Sequence, residues 1–153
     1  MMRLSPDGLR LIQKWEACKL AAYLDTSDLP TIGWGTTRYP DGRRVQMGDT
    51  CTQNQADAWL LGDVHHTEVV VDDLTVDTLA PCQFDALVSL AYNIGTAEKG
   101  FRGSTVRRLV NRNPHDPAIA AAFEMWCYDD GRRVPGLLNR RRDEARVYFG
   151  GEL

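Results

Sequence analysis

With 153 residues, 43% hydrophobic and 25% charged, the chain has the composition of a soluble globular protein, either one domain or two small lobes around a sizeable core. Its net charge of −3 gives no reason to expect a nucleic-acid partner, and no segment approaches the roughly 20 apolar residues that cross a membrane. The charge is unevenly spread. Residues 1–98 hold 7 basic and 14 acidic groups and residues 99–153 hold 11 and 7; chance variation of the surface is the first explanation, and a basic region drawn to an anionic polymer such as a bacterial envelope is the second.

The opening "MMRLSPDGLRLIQKWE" lacks the uninterrupted apolar run of a secretory signal, so synthesis as a cytoplasmic chain without stable membrane insertion is expected. Within it Ser5, Pro6 and Asp7 form a helix start: a capping hydroxyl, a proline at the first helical position and an acid in the first turn. Leu9, Ile12 and Trp15 or Glu16 then share one side at helical spacing. Glu16 therefore falls at the helix C-terminus beside an apolar face, where the helix dipole disfavours a negative charge. A lone Glu in such a place is ordinarily a solvent-border residue.

From Leu20 to Met47 the pattern changes to short β segments, "LAAYLD", "PTIGWGTT" and "RRVQM", separated by turn signals at "TSDLP" and "YPDGR". Asp25 ends the first segment and Thr31 begins the second, so a tight connection brings both to one rim. Gly33 and Gly35 inside a strand signal bends or a close approach.

The remainder reads as helical. A long helix opens at a Thr52 cap and carries Ala56, Trp59, Leu60 and Val64; "TLAPCQFDALVSLAYNIG" is a central buried helix stopped by Gly95. "GSTVRRLVNR", "DPAIAAAFEMW" and "VPGLLNRRRDEARVYFG" supply three more helices, with Trp126 expected in the core and Arg141 and Arg142 on a solvated face. The expected class is α+β: a small three-stranded antiparallel sheet in a lobe of about residues 18–50, and a helical lobe of about residues 52–150 plus the N-terminal helix, joined by the long helix with a cleft between them.

Cys18, Cys51, Cys82 and Cys127 are scattered without a Cys-x-x-Cys pair, which argues against zinc and a redox dithiol and for mostly buried free thiols. An oxidising destination leaves one or two disulfides open. His65, His66 and His115 lack metal-ligand spacing, and a histidine triad with Ser104 or Cys82 has no elbow motif behind it. Neither a metal nor an organic cofactor is implied.

Taken in order, the helix ending in "WE", then "AYLD", "PTIGWGTT", "ALVSLAYNIG" and "GLLNRRRDE" resemble the phage-type lysozymes, the muramidases of glycoside hydrolase family twenty-four, from about Leu4 to Phe149. Any single fragment is weak; the spacing of Glu16, Asp25 and Thr31 followed by Gly33 and Gly35 is the specific part. The resemblance implies hydrolysis of the β-1,4 bond between N-acetylmuramic acid and N-acetylglucosamine in peptidoglycan. Glu16 would be the general acid, with Asp25 and Thr31 positioning and activating water. An inverting reaction calls for carboxyl groups about 6.5–9.5 Å apart.

The same resemblance implies saccharide contacts for Tyr92, Asn93 and Ser104, although Tyr92 also reads as a core aromatic and Ser104 as a helix N-cap. Arg140 matches an arginine that reaches the catalytic glutamate. Where relatives commonly have Gly and His, this chain has Ala17 and Thr36; neither change removes a reacting group. The implied protein is a monomer that binds peptidoglycan and no nucleic acid, and that a separate holin releases to the wall. Two other readings stand beside it: a non-catalytic wall-binding or virion component with the same fold, and a lytic transglycosylase, against which the retained Asp25 weighs.

Overall fold

A computed structural model describes all residues, 1–153. The element order is α1 (Pro6–Trp15), β1 (Lys19–Leu24), β2 (Pro30–Gly33), α2 (Gln53–Leu74), α3 (Pro81–Ile94), α4 (Thr105–Arg112), α5 (Ala118–Glu124), β3 (Tyr128–Asp129), β4 (Arg132–Arg133) and α6 (Pro135–Tyr148). Six helices with two small antiparallel sheets make the protein α+β, as the sequence pattern predicts. The chain forms two compact units: Ile12–His66, and Met1–Leu11 with Thr67–Leu153.

In the unit Ile12–His66, β1 and β2 pair antiparallel, with Tyr23 opposite Thr31 and Leu24 opposite Pro30. The register shifts between Lys19 and Tyr23, a bulge in the ladder that leaves the middle of β1 unpaired with β2. There Ala22 N–H donates to Asp49 O at 2.9 Å and Cys51 N–H to Leu20 O at 2.9 Å, with Ala21 bridging Thr50. The expected third strand is thus reduced to isolated bridges, Ala21 with Thr50 and Arg38 with Arg44. "RRVQM" carries only Val45 as a buried apolar residue, and the turn that follows it ends the pairing.

The first turn of α2 is a capping box: Thr52 Oγ1 accepts from Gln55 N–H at 3.2 Å, and Gln55 Oε1 accepts from Thr52 N–H at 2.9 Å. Ala56, Leu60 and Val64 on this helix are buried at helical spacing, as the pattern predicts.

The other unit is built on α3, whose residues from Gln83 to Ala91 are all buried. It packs most extensively on α6, and α5 also packs on α6. Gly95 stops α3 at φ +84°. Ser5 caps α1 through an Oγ that accepts from Gly8 N–H at 3.2 Å, and Asp85 on α3 accepts from both the backbone N–H and the hydroxyl of Ser5. Burial pushes the Asp85 carboxyl above the usual range, against the bonds from Ser5. No helix is long and apolar enough to cross a membrane.

Two features of this unit differ from the sequence expectation. A tight hairpin, β3–β4, turns at Asp130 and Gly131, both with positive φ. And Arg141 does not lie on a solvated face: it is fully buried, with Nε 2.8 Å from Glu144 Oε2, because Glu144 one turn on supplies a charge partner inside the protein. Arg142 is exposed and pairs with Glu124. The cysteines are all free, but only Cys127 is buried; Cys18, Cys51 and Cys82 are half-buried.

Candidate active site

Glu16 stands at the end of α1, its N–H closing a 3.0 Å bond to Ile12 O, with Ile12 completely buried one turn before it. The amphipathic helix thus anchors its apolar side and leaves the half-buried Glu16 at its edge. Nine residues on, Asp25 closes the loop between β1 and β2. Its N–H donates to Leu29 O at 3.0 Å, and its Oδ1 accepts from Ser27 N–H at 2.8 Å and from Leu29 N–H at 2.9 Å. This is an Asx-type turn, in which a short acidic side chain satisfies the backbone donors of its own loop. Asp28 completes it at φ +58°.

Thr31 is buried and donates its hydroxyl to Leu29 O at 2.9 Å. One residue, Leu29, therefore receives both site side chains: its N–H is held by Asp25 and its carbonyl by Thr31. After these bonds Asp25 Oδ2 has no protein partner, and the Thr31 oxygen, having given away its proton, can only accept.

Tyr23 was not singled out by the sequence reading. It sits directly across the ladder from Thr31, so the two side chains share a face, and it lies two residues before Asp25 on β1. Its phenol is held above the ordinary value of 10.0, first by burial, then by the negative charge of Asp25, then by that of Glu16. Tyr23 thus senses both carboxylates, and alternation along "AYLD" was the signal that could have found it. Lys19 lies 4.1 Å over the Tyr23 ring.

Behind the site, Ile32 and Thr36 close a tight loop through mutual backbone bonds of 2.9 Å. Gly33 is required there. Its φ is +63°, and a Cβ would come within 3.1 Å of the Ala56 side chain. Trp34 Nε1 donates to Asp57 Oδ1 at 2.7 Å, tying the loop to α2.

An acid at a helix end, and a second acid and a hydroxyl on one hairpin, thus lie within the one unit Ile12–His66. The family model for phage lysozyme matches residues 13–144. The chain belongs to the phage lysozyme family. The endolysin of Salmonella phage P22 is 36% identical over 97% of this chain and 99% of its own length. An endolysin from Escherichia coli O157:H7 phage FAHEc1 superposes with a TM-score of 0.88 at 38% identity, covering 97% of this chain and 94% of that one. A mutant of P22 lysozyme gives 0.86 at 35% identity over 98% and 100%. Phage lysozymes are glycosidases, and their substrate is peptidoglycan.

The other residues singled out from the sequence lie in the second unit. Tyr92 is half-buried and Asn93 exposed, both in the last turn of α3. Ser104 caps α4, its Oγ accepting from Arg107 N–H at 3.1 Å. Arg140 is buried, with Nε 3.1 Å from Glu144 Oε1. Glu144 also accepts from Ser89 Oγ at 2.7 Å, so two guanidiniums and a hydroxyl converge on one buried carboxylate. Its complete burial pushes that carboxyl upward, while Arg141 and Arg140 pull the other way. No group of three or more His, Cys, Asp or Glu side chains is arranged to hold a metal ion.

Proposed function

We propose that the chain is an endolysin that hydrolyses the N-acetylmuramic acid–N-acetylglucosamine β-1,4 bond with Glu16 as acid and a water held by Asp25 and Thr31. Protonated Glu16 gives its proton to the glycosidic oxygen. The C1–O bond breaks with its electron pair passing to that oxygen, and an oxocarbenium-like sugar develops. Water attacks C1 from the opposite face, and Asp25 takes the proton it loses.

The observation that carries this reading is the pattern of bonds around Leu29. Asp25 Oδ1 is filled by two backbone N–H groups, which leaves Oδ2 as acceptor. Thr31 has spent its own proton on Leu29 O and also accepts. A water that donates one proton to each turns a lone pair away from the protein and toward the sugar. Such a water lies between Asp25 and the face of the ring opposite Glu16, the arrangement of an inverting enzyme.

Tyr92, Asn93 and Ser104 serve as saccharide contacts and Arg140 as a supporting cation, on the likeness of "AYNIG", "FRGS" and "LLNRRRDE" to the family. The chain is made in the host cytoplasm, reaches the wall through a separate holin, and works as a monomer. Clearing of purified peptidoglycan tests the roles. Glu16→Gln and Thr31→Ala, each checked for folding, are expected to lose about a hundredfold or more in rate, the range of a lost proton donor or positioned nucleophile. A folded wild type that binds the wall and never clears it would make the chain a binding module. Equal clearing by Glu16→Gln would move the acid elsewhere.

A further inference from the structure

Beside the site hairpin, the unit Ile12–His66 carries a second one. Tyr39 N–H donates to Arg43 O at 2.9 Å and Val45 N–H to Thr37 O at 3.1 Å. These two bonds bracket Arg38 and Arg44, which the bridge sets directly opposite each other. That is the non-hydrogen-bonded type of antiparallel pair, in which the facing side chains come closest. Like charges at this position oppose strand pairing. A hairpin built only for stability would place an acid across from an arginine.

No carboxylate inside the protein relieves the pair. Arg38 Nη1 donates to Gly42 O at 2.7 Å, and Arg44 has no hydrogen bond or ion pair. Asp41, the acid of the intervening loop, is bound to Arg43 at 2.8 Å. Arg38 and Arg44 line a cavity of about 450 Å³ with Leu29, Pro30, Val45 and Gln46, and they are its charged groups. In a chain of net charge −3, this is a local cationic cavity with an apolar wall. That wall includes Leu29, the residue whose backbone Asp25 and Thr31 hold.

We infer that this cavity is a subsite for the carboxylates of the stem peptide on the muramic acid being cleaved, with Arg38 and Arg44 as specificity-determining residues. The inference rests on the reaction proposed above. The substrate's chemistry supplies the link: the peptide hangs by a lactyl ether from the sugar whose C1–O bond breaks, so it must leave the site close to the reacting residues. It alternates carboxylates with small methyl-bearing residues, matching two guanidiniums beside Leu29, Pro30 and Val45. A phosphate polymer carries charge along its length and has no use for that wall.

The test compares KM on glycan strands with stem peptides intact and on the same strands stripped of peptide by an amidase. Wild type is expected to show a KM about five-fold lower on the intact strands, the scale of two exposed charge contacts. The double variant Arg38→Gln/Arg44→Gln is expected to lose that preference, and the Lys pair to restore much of it. Equal KM values for wild type on both substrates overturn the inference, whatever the variants do. So does a double variant that keeps the preference, or competition by soluble polyphosphate but not by a muramyl tetrapeptide. Cleavage of neither substrate would defeat the proposed reaction instead. Amide shifts at Arg38 and Arg44 in Glu16→Gln, titrated with muramyl tetrapeptide, would then decide the subsite alone: their presence supports it and their absence overturns it.

Discussion

Asp25 and Thr31 are held through their own backbone neighbourhood rather than by distant partners. Both bond to Leu29, so the geometry of the pair is a property of a seven-residue loop. Short loops closed by Asx turns hold their side chains with little conformational freedom to lose. Tyr23 is the residue that reports on this arrangement. Because Asp25 and Glu16 both raise its phenol, each neutralising substitution is expected to bring its titration down toward 10.0. Asp25→Asn should lower it more than Glu16→Gln, since Asp25 is the larger of the two charge effects. Following Tyr23 by NMR of ring-labelled tyrosine checks this, and an unmoved titration in both variants would separate Tyr23 from the carboxylates.

At the scale of elements, capping chemistry was the most legible part of the sequence. Ser5, Thr52 and Ser104 each begin a helix as their residue types predict, and Gly95 ends one. The "PTIGWGTT" segment was equally readable, since Gly33 adopts a backbone conformation and a closeness of approach that a side chain would oppose. Other features were less so. Sequence alone places Arg141 on a solvated face because arginine is rarely buried; its burial depends on Glu144 and Arg140 converging with Ser89, which lies 55 residues before Glu144. The hairpin at Tyr128–Arg133 is only two residues per strand, too short for alternation to register, although Asp130-Gly131 is a turn signal in its own right. The carboxylate of Glu144 offers the sharpest test at this scale. Glu144→Ala leaves two buried guanidiniums without their shared anion and is expected to cost about 3–5 kcal/mol of stability. Urea unfolding measures it; a loss below about 1 kcal/mol would mean the cluster is already relaxed by water.

For the whole molecule, order along the chain carried more than any total. A net charge of −3 and a hydrophobic share of 43% fit a great many proteins. Five fragments in sequence, from "WE" to "GLLNRRRDE", pointed to one family, and the family model matches over 13–144. In the proposed reaction each fragment supplies a different part, and chemistry fixes how those parts must combine. What they cannot specify is how local backbone bonds commit each atom, since that depends on the loop's folded geometry. The most direct measurement is therefore of the product. Peptidoglycan digested in heavy-oxygen water, with wild type and with folded Glu16→Gln, is analysed by mass spectrometry. The account predicts reducing-end muramic acid carrying one heavy oxygen from wild type and almost none from the variant. Anhydromuramic acid ends without heavy oxygen, or the same labelled product at the same rate from Glu16→Gln, would contradict it.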